Sequence, residues 1–157
     1  MSFTKVCTAE SEGIVIKGRW TAELFAEDGS LKDRREGDNL VVTNGKEFMA
    51  SFLHSAVTGS SFTMQFVAIG TDNTAATLAD TALGTESTRT TGTASYTSGA
   101  LFDVVATFEA GDGTGAIVEY GLFSANAAGT MLSRDIEDVI NKGVSDTLTV
   151  TAQLTIG

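Results

Sequence analysis

The chain has 157 residues, 42% hydrophobic and 19% charged, a globular composition long enough for one domain with a real core. Its formal charge of −10 has the wrong sign for gripping nucleic-acid phosphates, and no apolar run approaches the ~20 residues that span a bilayer. A single cysteine, Cys7, and a single histidine, His54, exclude an intrachain disulfide and a conventional zinc site.

Residues 1–12 alternate weakly and read as an extended or flexible N-terminal arm, followed by a single β-sandwich-like domain over 13–157. The first ten residues lack the apolar core of a signal peptide, so synthesis in a cytoplasm is expected. From Ile14 the pattern is strand-like, with Ile14, Ile16, Gly18 and Trp20 on one side and Val15, Lys17, Arg19 and Thr21 on the other. It runs through Leu24-Phe25 to an Asp28-Gly29 turn signal, and the charged segment 31–36 returns as an exposed edge. Residues 39–43 form a short strand leading into a helix over 44–56, where Phe48, Met49, Phe52, Leu53 and Ala56 make one apolar stripe. Thr43 or Asn44 caps it.

The remaining two-thirds read as β. Residues 64–70 are an apolar strand, 71–79 a loop of small residues, and 89–96 a Thr-rich alternating strand. In 100–110 Phe102, Val104, Ala106 and Phe108 share a face, and Gly111-Asp-Gly-Thr-Gly115 turns the chain into a strand over 117–124. A turn at 126–129 leads to Met131-Leu132. The last strand is the clearest, with Leu148, Val150, Ala152, Leu154 and Ile156 alternating with threonines and Gln153. No proline occurs, so glycine and asparagine must make the turns. The expected fold is all-β, mainly antiparallel, a β-sandwich or jelly-roll-like form with one short helix packed on the sheet.

Charge is unevenly placed. Residues 1–46 hold seven basic against eight acidic side chains, and residues 47–157 hold three against twelve. The balanced N-terminal third is where an acidic partner would be met. Chemistry is harder to find. His54 has no nucleophile elbow or other triad context. Asp112 in its glycine-rich turn, and Asp135, Glu137 and Asp138, lack the alternating spacing of a calcium loop. Gly111, Gly113 and Gly115 precede neither a helix nor a Lys-Ser/Thr pair, so they make no phosphate loop. A paired-carboxylate glycosidase would want an aromatic platform, and Trp20 is the sole tryptophan. The expectation is a protein that is not an enzyme and takes no cofactor or metal.

Four phrases stand in a fixed order: Phe66-Val-Ala-Ile-Gly-Thr-Asp72, Thr81-Ala-Leu-Gly-Thr-Glu86, Glu119-Tyr-Gly-Leu-Phe123 and Met131-Leu-Ser-Arg134. In that order and spacing they resemble a module of tailed-bacteriophage structural proteins, over roughly residues 39–156. The resemblance implies a non-enzymatic virion structural protein. One version is a head decoration (cement) protein, a homotrimer that binds the major capsid protein on the outer capsid surface and stabilises the head by bridging capsomers. Another is a tail-fibre or collar module, or an adhesin-like β-sandwich, binding a host-surface ligand. Length favours decoration, because no heptad run or second domain is present for a fibre shaft or tip. Neither nucleic acid nor membrane is an expected partner. The arm 1–12 carries no phrase of the module. The candidate partner interface lies in the N-terminal third, at Phe3, Lys5, Val6, Arg19, Trp20, Arg34 and Arg35.

Overall fold

The computed structural model describes residues 16–49, 63–97 and 101–156. The arm 1–12 with Phe3, Lys5, Val6 and Cys7 lies outside them, as does the expected helix beyond Met49, with Phe52 and His54. Strand β1 (Ile16–Phe25) and strand β2 (Leu31–Val41) form the expected hairpin. At its turn the Asp28 carboxylate accepts the Ser30 amide at 2.9 Å and the Ser30 hydroxyl at 2.6 Å. Gly29 there has φ 81°, a left-handed conformation that a Cβ would strain.

β2 corrects the sequence reading in one respect. The charged segment 31–36 and the short strand 39–43 are one continuous strand, ending at Val41. Nor is β2 a full edge. It lies between β1 and a later strand, β8 (Met131–Lys142), yet its ladder with β8 covers only Leu40↔Arg134 and Val41↔Ser133. A helix, α1, begins at 43 and its described part runs to 49. It sits tightly on β8, because a Cβ at Gly45 would strike the Leu132 backbone.

β3 (Phe66–Gly70) and β4 (Glu86–Thr91) flank the small-residue loop, and β5 (Thr93–Thr97) follows at once. The Thr-rich strand read over 89–96 is therefore two strands, parted at Gly92. Its amide donates to Gln65 O at 2.7 Å, and a Cβ on it would meet Val104 Cγ1 at 2.7 Å. β6 (Leu101–Phe108), β7 (Gly115–Phe123), β8 (Met131–Lys142) and β9 (Thr147–Ile156) complete the chain. The strand order is β4-β3-β7-β8-β2-β1-β9-β6-β5, with every pairing antiparallel. The two outermost strands, β4 and β5, are joined through Gly92 alone, so the nine-stranded sheet curls until it is nearly closed. The form is all-β and antiparallel as expected, and sandwich- or barrel-like.

The interior follows from alternation. Trp20, Ala22 and Leu24 of β1, Val104, Ala106 and Phe108 of β6, and Leu148, Val150, Ala152 and Leu154 of β9 face one core with Tyr120, Leu122, Ile117 and Ile140. A second, smaller cluster of Val42, Ala68, Leu83, Phe123 and Met131 lies beneath the loop 71–85. Side chains on one strand face therefore pack inward while the other face of β3 and β7 is roofed by that loop.

Candidate functional site

The four phrases that are separate in sequence meet in one place. β3 and β7 pair with Gly70 opposite Glu119 and Ala68 opposite Gly121, and β7 and β8 pair with Gly121 opposite Arg134. Glu119 and Arg134 thus project from the roofed face of the sheet toward the loop 71–85. Glu119 is fully buried and Arg134 nearly so.

Every lone-pair direction of Glu119 is used. Its Oε1 accepts the amides of Asp72 (3.1 Å) and Thr85 (2.7 Å), and its Oε2 accepts the amide of Gly84 at 2.9 Å. Arg134 Nη2 donates to the same Oε2 at 3.0 Å, with Nε at 3.3 Å. The guanidinium also donates through Nη1 to Asp80 Oδ2 at 2.8 Å and through Nη2 to Asp72 Oδ2 at 3.4 Å. Burial works against the Arg134 charge, but hydrogen bonds to Asp80 and Glu119 outweigh it and hold its pKa above the ordinary value. Asp72 sits below the usual carboxylate range because the Thr74 hydroxyl and amide bond it. Asp80 is also lowered. Burial opposes its charge, and the amide and hydroxyl of Thr77 with Arg134 outweigh that.

The glycines of the phrases exist because of this centre. A Cβ at Gly70 would run into Glu119 and Thr85 O, and one at Gly84 into the Asp72 carboxylate. At Gly121 it would meet Phe123 at 2.7 Å and Leu83 at 2.8 Å. The assembly can do one thing chemically: it ties a loop to a sheet. The carboxylate is spent on three backbone amides and a guanidinium, all of them structural partners.

Residue 46 is also where the role of cations changes. The three cations beyond it, Arg89, Arg134 and Lys142, are all directed inward. Arg89 lies 3.5 Å over the Phe123 ring, donates to Ala125 O and Ala128 O, and pairs with Glu86 at 2.6 Å. Lys142 donates to Glu109 O at 2.8 Å, and burial lowers its pKa. Sequence reading placed Asp72, Glu119 and Arg134 in the phrases but not in contact, and it missed Asp80 altogether. The available signal was the scarcity of cations in an acid-rich stretch.

The interface candidates separate on the hairpin. Arg19 and Arg34 lie on its outer face, about half exposed, where Arg19 pairs with Glu36 at 3.0 Å and Arg34 with Glu36 at 3.1 Å and Glu23 at 3.7 Å. Arg35 is on the opposite side of the strand, bonded to Asp33 and donating to Val139 O at 3.5 Å. Trp20 is 1% exposed, with its ring 6.0 Å from that of Tyr120, so it belongs to the core and is unavailable for an outward contact. Alternation explains the difference: Arg19 and Trp20 are neighbours and must face opposite sides. Among the described residues no group of three or more Asp, Glu, His or Cys is placed to hold a metal ion, and no helix is long and apolar enough to cross a membrane. Comparison with family models, with curated proteins and with solved structures gives no match.

Proposed function

We propose that this protein is a non-enzymatic structural component of a tailed-phage virion, a decoration protein that binds the major capsid protein on the outside of the mature head. The observation that carries the reading is the distribution of usable positive charge. Among the described residues, the cations with exposed side chains are Lys17, Arg19, Lys32, Arg34 and Lys46, all within the first third, while the three later ones are turned inward. The outer face of the β1–β2 hairpin therefore carries a mixed-charge patch on a body that is otherwise acidic. Arg19 and Arg34 already pair with Glu23 and Glu36 on that face, and such exposed pairs are worth little on their own. They can exchange for partner carboxylates, to which arginine binds in bidentate fashion.

The resemblance phrases add support of a different kind. They form a single buried device that stiffens one loop, so what they carry over to this chain is a rigid scaffold. A rigid body that binds only the expanded capsid would stabilise that state by mass action and bridge neighbouring capsomers against internal pressure. In this reading the chain acts as a homotrimer, and residues 1–12 add a second attachment element.

The test is cosedimentation with expanded, undecorated heads and, separately, with isolated tails. Binding to heads that is lost in an Arg19→Glu, Arg34→Glu double variant of unchanged thermal stability is the expected result. Wild-type binding by that variant would refute the attachment face. Binding to tails alone would favour a tail-module role, and binding to neither would refute the virion reading.

A further inference from the structure

The inner face of the sheet carries a polar cluster that the Glu119–Arg134 centre does not use. Asp135 of β8 lies directly opposite Tyr120 of β7 and is 5% exposed. Among the described residues it forms no salt bridge, and its Oδ2 has no hydrogen-bond partner. The Tyr120 hydroxyl beside it, the Ser133 hydroxyl two residues along the same strand face, and the Asn39 carboxamide and Trp20 Nε1 are likewise buried and without partners. Arg134, the neighbour of Asp135 in sequence, faces the other side of the sheet, committed to Glu119 and Asp80.

This cluster lies where β2 and β8 part. Their ladder ends at Leu40↔Arg134, and beyond it the strands are linked by side chains. Glu137 of β8 crosses to β2 over Gly37, where any Cβ would collide with its carboxylate. Arg35 Nη2 donates to Val139 O of β8 at 3.5 Å, and Lys32 meets Asp146, in the turn that follows β8, at 2.6 Å. Asp135 and Glu137 stand two residues apart on β8, the first buried and the second half-buried, so that two negative charges there repel one another.

We propose that buried Asp135 holds a proton beside Glu137 at the parting of β2 and β8, and that its loss loosens this seam, making it a proton-operated latch. The groups that face the pair set its sign. β2 supplies Asp33, Arg35 and Asp38, β7 supplies Tyr120, and β8 supplies Asp138. Arg35 is the one cation among them, and Asp33 already occupies it. Ionising Asp135 thus puts a buried negative charge beside that of Glu137 with no cation to receive it. Burial first, then the Glu137 charge, pushes the Asp135 carboxyl up to about 7.

The sign of the pH effect follows. The carboxyl binds its proton more tightly in the closed seam than in an open one, so the stabilisation is complete at low pH. It is lost as pH rises from about 4 to about 7 and is absent above that range. Each pH unit within the window favours opening by up to about tenfold for one proton released.

Amide hydrogen exchange of 33–38 and 135–139, corrected for intrinsic rates and measured from pH 5 to 8, reads the latch directly. In the wild type the opening constant should climb towards that tenfold per unit and level off above about pH 7. In Asp135→Asn, which is isosteric and permanently neutral, it should be flat. Carbon-detected NMR titration gives a second reading. The Asp135 midpoint should lie near neutrality and should drop towards the ordinary aspartate range in Glu137→Gln, which removes the neighbouring charge. A wild-type midpoint below pH 5, one unmoved by Glu137→Gln, or a pH slope that persists in Asp135→Asn would each overturn the proposal.

Discussion

Replacing Glu119 with glutamine tests whether the buried centre holds the fold as its geometry implies. The substitution keeps shape and volume. The retained oxygen can still accept from Asp72 and Thr85, but the new amide nitrogen must face the Gly84 amide and the Arg134 guanidinium, all donors. Two bonds from Arg134 and one from Gly84 are lost, and Arg134 keeps only Asp80 and Asp72 at the edge of the loop. Charge-assisted hydrogen bonds contribute about 1.5–3 kcal/mol each, though not additively. Breaking a buried pair by removing one partner costs about 3–5 kcal/mol, and this range is the expected destabilisation. For a chain of this size that lowers the melting temperature by roughly 10–15 °C.

Thermal and urea unfolding followed by circular dichroism would measure the loss. Hydrogen exchange over 71–85 should report it first, since that loop is what Glu119 ties down. A double-mutant cycle with Arg134→Gln isolates the pair, and its coupling should be on the order of 2 kcal/mol or more. A loss below about 1 kcal/mol in Glu119→Gln, or additive single variants, would refute the view that one ion pair locks the loop.

Other outcomes follow from the same geometry. Gly121→Ala should destabilise by about 1–3 kcal/mol, because its Cβ overpacks against Leu83 and Phe123, and unchanged unfolding in urea would contradict that contact. In acid, Asp72 and Asp80 act opposite to Asp135. Their folded pKa values are depressed, so the stability they contribute is present above about pH 4 and lost as pH falls through the folded values. The melting temperature should therefore peak at about pH 4–5, falling on the acid side through the loop carboxylates and on the alkaline side through Asp135. A melting temperature that climbs steadily from pH 4 to 8 would contradict the Asp135 assignment, and one that does not fall below pH 4 would contradict that of the loop carboxylates.

Much of the fold was legible locally. The Asp28-Gly29 turn defined a hairpin because only certain residues accept a left-handed backbone. β6 and β9 announced themselves because period-two alternation says which side chains go inward whatever the partner strand is. Gly92 looked like one more residue of a Thr-rich run, and only the closure of the sheet turned it into the joint between opposite edges. β2 was read as two pieces because Gly37 and its charged neighbours resemble a loop. They remain a strand because β1 pairs with them along their whole length and Glu137 lies over the glycine. β8 escaped recognition beyond its first residues, since charges at 134, 135, 137 and 138 erase any apolar period.

The centre divides in the same way. Order and spacing marked Gly70, Gly84, Glu119, Gly121 and Arg134 as belonging together, but not why. A sequence carries the apolar face of each strand in its own period, so secondary structure and core were largely determined there. Whether a charge is buried, and against which opposite charge, depends on register between strands far apart in the chain. The pairing of Glu119 with Arg134, the isolation of Asp135 and the burial of Trp20 beside Tyr120 were therefore decided by the tertiary structure alone.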